Sequence, residues 1–197
     1  MAKTHKSLDE AISSAVDEVL KDFKSSMKEA VNFAVVQGRV DFMNKARSCL
    51  SEYYDYFEPN IYERTENLQY AFLPYSTKLK CSNDKITGTL GVEYSPEALA
   101  ANMGNPEFYT NGKRKHTGYY GSEKHNPVDA TWVIDNYLKG IHPITNGGFT
   151  AESSIYAEVF DPISPNEKME AFRDGYGETF NKNVLVGLMG QIAKKIK

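Results

Sequence analysis

His116 and His125 stand nine residues apart in a glycine-containing stretch, and with an acidic partner they could hold a metal ion. A metal bound there would activate water, which is the chemistry of a small metal-dependent hydrolase. The pattern stops short of a site. The four histidines, His5, His116, His125 and His142, share no ligand spacing, and no obvious carboxylate pair accompanies the two in the loop. Other chemistries are no better served. No serine stands in a nucleophile elbow. Gly147-Gly148 precedes a strand-like segment, whereas a phosphate loop leads into a helix. Cys49 and Cys81 form no metal spacing, and neither has a histidine beside it in sequence. These residues therefore predict surface histidines, scattered helix-face carboxylates, no catalytic residue, no metal and no cofactor.

One electrostatic feature remains, the cluster Lys113-Arg114-Lys115-His116 with Tyr109, Tyr119 and Tyr120 nearby. Such a loop could touch a phosphate backbone or an acidic partner. In a chain of net charge −3 it is first a solvated loop, and the protein as a whole is no electrostatic nucleic-acid binder. No apolar run is long enough to cross a membrane. The first thirty residues are charged and amphipathic, unlike a signal peptide, so cytoplasmic synthesis with free thiols is expected. Thirteen tyrosines supply contact area with a polar tip, suited either to wet interfaces or to half-buried sheet positions.

The elements that must position these residues begin with one helix. Ser7 and Glu10 form a capping box, and apolar residues recur at Leu8, Ile12, Val16, Val19, Phe23, Met27, Ala30 and Ala34. The step is about 3.7 residues, the period of a nearly straight α-helix. The stripe continues through Phe42, Ala46, Leu50, Tyr53 and Phe57, and Pro59 ends it. At 1.5 Å per residue the stretch spans roughly 75 Å, against a radius of gyration of ~16 Å for a compact chain of this length. Either the helix bends, most naturally at Gly38, or it projects and requires another chain. The expected organisation is a helical arm over 7–57 and an α+β body over 58–197.

Within that body, Thr65 can cap a short helix, and Ile61, Tyr62, Leu68, Ala71, Phe72 and Leu73 read as buried. Residues 85–95 alternate as one half-buried strand, with 77–83 as hairpin partner through Asn83-Asp84. Residues 96–128 form an extended irregular loop. Asp129 caps a helix from Ala130 that carries Trp132, Val133, Asn136 and Tyr137 and stops at Gly140. Residues 154–161 alternate as a second strand or hairpin arm. A last helix begins near Asn166, is interrupted at Gly175 and Gly177, and carries Met169, Phe172, Phe180, Val184, Leu188 and Ile192 on its apolar side. The fold class expected is α+β: a long N-terminal amphipathic helix, a small antiparallel sheet, a short central helix and a C-terminal helix.

This order resembles a known family over roughly residues 10–196. The carriers are the long first helix, Pro59 followed by Thr65-Glu66-Asn67-Leu68, a strand closing in Val92-Glu93-Tyr94, and a helix from Trp132 with a Gly140-Ile141-His142-Pro143 exit. They look like the neck and tail-completion proteins of long-tailed bacteriophages, which occupy the head–tail junction. That family usually has Thr-Gly-x-Leu after the proline. Glu66 stands here in place of the glycine, which predicts a turn with no need of positive φ. The resemblance implies a virion structural protein made in the host cytoplasm, a homo-oligomeric ring without a catalytic site, and neck, connector and tail-tube proteins as neighbours. The lumen of such a ring would hold packaged DNA or the end of a tape-measure protein, and Lys113, Arg114 and Lys115 are the candidate lumen or partner loop. The subunit interface expected from the stripe comprises Leu8, Ile12, Val16, Val19, Phe23 and Met27. A small metal-dependent hydrolase and a cytoplasmic helical adaptor remain the alternatives.

Overall fold

The computed structural model describes residues 7–56, 66–82, 84–102, 130–145 and 156–196. Several sequence readings fall outside these residues: His5, Phe57, Pro59, Ile61, Tyr62, Thr65, Asn83, the basic cluster Lys113-Arg114-Lys115, His116, His125, Asp129 and Gly147-Gly148. The side chain of Trp132 is likewise not described.

The fold is mixed α+β and mostly helical. Helix α1 covers Leu8–Tyr56 (49 residues). Its start is the expected reciprocal cap: Ser7 N donates to Glu10 Oε2 at 3.0 Å, and Glu10 N donates to Ser7 Oγ at 3.2 Å. A 3₁₀ turn, Asn67–Ala71, leads into β1 (Phe72–Ser76). Then come β2 (Lys80–Cys81), β3 (Ile86–Thr87) and β4 (Leu90–Tyr94). Helix α2 is Pro96–Asn102, and α3 is Ala130–Lys139. Strands β5 (Ile141–Thr145) and β6 (Tyr156–Phe160) precede α4 (Pro165–Gly175) and α5 (Gly177–Ile196). The strands form three two-stranded pairs: β1 with β4, β2 with β3, and β5 with β6.

The chain divides into two compact units that are discontinuous in sequence. One takes the chain up to Gly38, Ser76–Leu90 and the chain from Tyr176; the other takes Arg39–Tyr75 and Gly91–Gly175. The first is built from the N-terminal part of α1, the β2–β3 hairpin and α5. Its buried positions on the helices are small: Ala30, Ala34 and Gly38 on α1, and Gly187 on α5. At Gly38, where the sequence suggests a bend, α1 is continuous as a helix, and the boundary between the two units falls just after that residue. Its missing side chain serves packing: a Cβ there would overlap Leu90 Cδ2 and lie 3.3 Å from the Tyr176 hydroxyl. The hairpin is antiparallel, Lys80 opposite Thr87 and Cys81 opposite Ile86.

The second unit holds the main core. Ala46 and Leu50 of α1 pack with Leu68, Ala71, Phe72, Leu99, Ala130, Ile134 and Tyr137. Leu68, Ala71 and Phe72 are buried as expected, whereas Leu73 is exposed because the alternation of β1 turns it outward. The loop expected from residue 96 begins instead as α2. Ser95 caps it, accepting from Ala98 N at 3.1 Å, Pro96 takes the first helical position, and Leu99 is buried. The strand expected over 85–95 is two strands, separated at Gly88-Thr89. Strand β5 was not anticipated; it pairs antiparallel with β6 from Ile141–Phe160 to Thr145–Tyr156. Gly140 stops α3 as expected, at φ +67°, and a Cβ there would lie 2.8 Å from Asp161 Cβ.

Glu66 corrects another expectation. It precedes the 3₁₀ turn at φ 55°, the one non-glycine residue with positive φ among the described residues, and its side chain makes no capping bond. The turn needs the left-handed conformation even with a side chain there. Glu66→Gly is therefore expected to stabilise the protein by up to about 1 kcal/mol, the steric relief being partly offset by a freer unfolded chain. Urea denaturation would show this as a higher midpoint at unchanged slope; a lower midpoint would mean that the strain is negligible.

Tyr94 and Tyr137 lie in the core beside Phe72, with Tyr94 edge-on to Phe72 at a centroid distance of 5.2 Å. Burial, with Cys49 nearby, pushes the Tyr94 phenol up to about 12, and Tyr137 is raised further by the same cause. A phenol whose folded pKa exceeds its unfolded value contributes stability that is complete below about pH 10 and is lost as pH rises toward 12. Stability should fall across that alkaline window, and Tyr94→Phe should flatten the fall. An equal slope in the variant would exclude Tyr94 as its source.

Candidate functional site

The candidate site is a surface rather than a pocket, and it lies in the first unit. Helices α1 and α5 run antiparallel there, as two pairs of residues fix. Gly187 sits over Ala30, where a Cβ would be 3.0 Å from both Ala30 Cα and its carbonyl oxygen. Eight residues further along each helix, Lys195 Nζ donates to Asp22 Oδ2 at 3.0 Å. The close approach at Ala30 depends on small residues on both helices. Beyond Asp22, toward the N-terminus, α5 no longer lies alongside α1.

The apolar stripe of α1 changes character at that point. Ala30 and Ala34 are buried and Met27 is half-buried. Leu8, Ile12, Val16, Val19, Leu20 and Phe23 are 50–77 % exposed. Five of the six expected interface residues are therefore exposed and uncovered among the described residues, and Met27 marks the edge. Leu20, which the stripe reading omitted, widens the patch. Acidic residues flank it: Asp9, Glu10, Asp17, Glu18 and Asp22, against the single Lys21.

A second apolar stripe was not anticipated. On α5, Leu185, Val186, Met189, Ile192 and Ile196 are 50–81 % exposed. The expected apolar side of α5, Phe180, Val184 and Leu188, is half-buried, but Ile192 belongs to the exposed stripe. The steps Leu185, Met189, Ile192, Ile196 have helical periodicity and could have been read from the sequence. Lys194 and Lys195 accompany this stripe, and no acidic residue lies between Leu185 and Ile196.

In the second unit one buried polar cluster calls for a chemical reading. His142, expected at the surface, is buried on β5, because the strand pairing turns it toward α1. Its Nε2 faces Asp161 Oδ2 at 3.6 Å, and both side chains are almost fully enclosed. Tyr53 stacks on the imidazole at a centroid distance of 4.0 Å, with Tyr56 tilted at 5.0 Å. The Tyr53 hydroxyl donates to Ile141 O at 2.7 Å and the Tyr56 hydroxyl to Phe160 O at 3.1 Å. This arrangement ties the β5–β6 hairpin to α1 and leaves the imidazole under aromatic cover, which suits a structural role. Cys49 is buried, and desolvation raises its thiol pKa, so it is a poor nucleophile; Cys81 is exposed. Among the described residues no group of three metal-ligating side chains converges, and no helix is long and apolar enough to cross a membrane.

No family model matches this chain, and neither does any curated protein or solved structure.

If the cluster holds the hairpin, Asp161→Ala should cost about 2–3 kcal/mol, because it leaves His142 buried opposite no carboxylate. Tyr56→Phe removes one exposed hydroxyl bond and should cost about 0.5–1 kcal/mol. Urea denaturation checks both values. Equal and negligible losses would mean that ring stacking alone seats the hairpin.

Proposed function

We propose that this chain is a structural virion protein of the neck of a long-tailed bacteriophage. In this reading it forms a homo-oligomeric ring that completes the tail and joins it to the head or connector. One observation carries the assembly part: a capped helix presents six large apolar side chains, Leu8 to Phe23, each half or more exposed and uncovered among the described residues. A continuous exposed patch of this kind marks a protein–protein surface. The neck assignment rests on the order of elements and on the motif residues between Pro59 and Pro143, from which Glu66 is a departure. The neighbours it implies are other copies, the adjoining neck or connector proteins and the tail tube, with packaged DNA in the lumen. Virion localisation follows from the same reading.

A helical adaptor would use the same patch, and stoichiometry separates the two. An adaptor binds one partner through one helix, whereas a ring subunit must present two different faces to two neighbours. The exposed stripe on α5, remote in sequence from that on α1, favours the ring.

Val19→Asp and Phe23→Asp test the patch. Both positions are exposed, so the isolated protein should keep its circular dichroism spectrum and an unfolding free energy within about 0.5 kcal/mol of the parent. A charge buried in an assembled apolar contact costs several kcal/mol. The variants should therefore fail to enter particles, and electron microscopy should show heads and tails unjoined. Normal, joined particles from both variants would refute the interface.

A further inference from the structure

We infer that the α1 stripe of one copy is covered by the α5 stripe of another, so that copies associate head to tail. This deepens the assembly reading above and rests on it, by naming the occupant of the surface. Three observations point to it. The two exposed stripes are both helical and similar in length, roughly 23 Å from Leu8 to Phe23 and 17 Å from Leu185 to Ile196. With Asp22 and Lys195 already paired within the chain, the remaining flanking charges are opposite: Asp9, Glu10, Asp17 and Glu18 with the single Lys21 on α1, and Lys194 without a carboxylate on α5. Pairing α1 with α1 would instead set two acidic segments against each other. Finally, the chain itself shows these two helices to be compatible: they run antiparallel, with Lys195 on Asp22 at 3.0 Å. A second α5 on the uncovered part of α1 would extend the same chemistry to the next copy. Because the two faces differ, the contact is heterologous, and it closes into a ring if the rotation per subunit permits.

Disulfide trapping in a Cys81→Ser background tests the pairing, since Cys81 is the exposed thiol and Cys49 is buried. Val16→Cys and Met189→Cys place thiols in the two stripes, both at exposed positions. Within one chain the antiparallel alignment sets Met189 near residue 28, roughly 18 Å along α1 from Val16 and beyond disulfide reach. Mild oxidation of the two single variants mixed should give a mixed dimer, and the double variant should give a ladder above dimer on a denaturing gel. If Val16→Cys alone cross-links as readily as the mixture, the contact is two-fold, and the head-to-tail pairing falls while self-assembly stands. If nothing cross-links although the parent sediments as oligomers, the pairing falls in the same way. A parent that stays monomeric at every concentration, with no cross-link, removes both the pairing and the assembly reading.

Discussion

The size of the apolar residues along α1 decides what each part of the helix can do. From Ala30 to Gly38 the buried positions are small, and a second helix can approach until Gly187 lies over the Ala30 backbone. From Leu8 to Phe23 they are large, and no described element covers them. Burying a Val, Leu, Ile or Phe side chain is worth roughly 1.5–3 kcal/mol. Leaving six such side chains more than half exposed forgoes on the order of 5–10 kcal/mol, comparable with the whole stability of a domain. A helix that carries this surface is held in place by its cap and by its C-terminal part, and the gain from its N-terminal stripe is reserved for association.

The second unit solves a different problem, that of burying tyrosine. Tyr53, Tyr94 and Tyr137 bring large rings into or against the core, and each ring also carries a hydroxyl. Tyr53 resolves this by donating to Ile141 O, and Tyr137 reaches toward Ala46 O at 3.5 Å. The rings stack edge to face, Tyr53 on Tyr137 and Phe72 on Tyr94, both at 5.2 Å. Aromatic surface thus fastens α1 to α3 and to the β5–β6 hairpin. Tyr94 occupies the half-buried strand position that composition allowed, Tyr53 and Tyr137 pack from helices instead, and Tyr56, Tyr70 and Tyr75 are exposed.

Periodicity and capping were legible in the sequence because they are local. The Ser7–Glu10 box, the length of α1, the stop at Gly140 and the break between α4 and α5 all follow from residues within one turn of each other. What was not legible depends on distant partners. Gly38 reads as a hinge until Leu90 and Tyr176 are known to lie against it. Glu66 reads as a residue at negative φ because its side chain favours that region, whereas the start of the 3₁₀ turn holds it at φ 55°. Strand β5 was hidden by Pro143, which argues against a strand unless its register with β6 is known. His142 reads as a surface residue because the carboxylate it faces lies nineteen positions away.

The interface residues on α1 were legible for a reason that also limits them. A stripe at 3.7-residue spacing says that one face of a helix is apolar, not whether its own chain or another will cover it. The division follows α5: Lys195 is opposite Asp22, and N-terminal to that point the stripe is exposed, with no covering element among the described residues. The surplus of carboxylates around Leu8–Phe23 adds a second constraint, because like charges at close range oppose the pairing of identical acidic helices. An apolar face that repels itself is suited to wait for a basic partner surface. In the pairing proposed above that surface is α5 of another copy, so the charges favour α1 against α5 over α1 against α1.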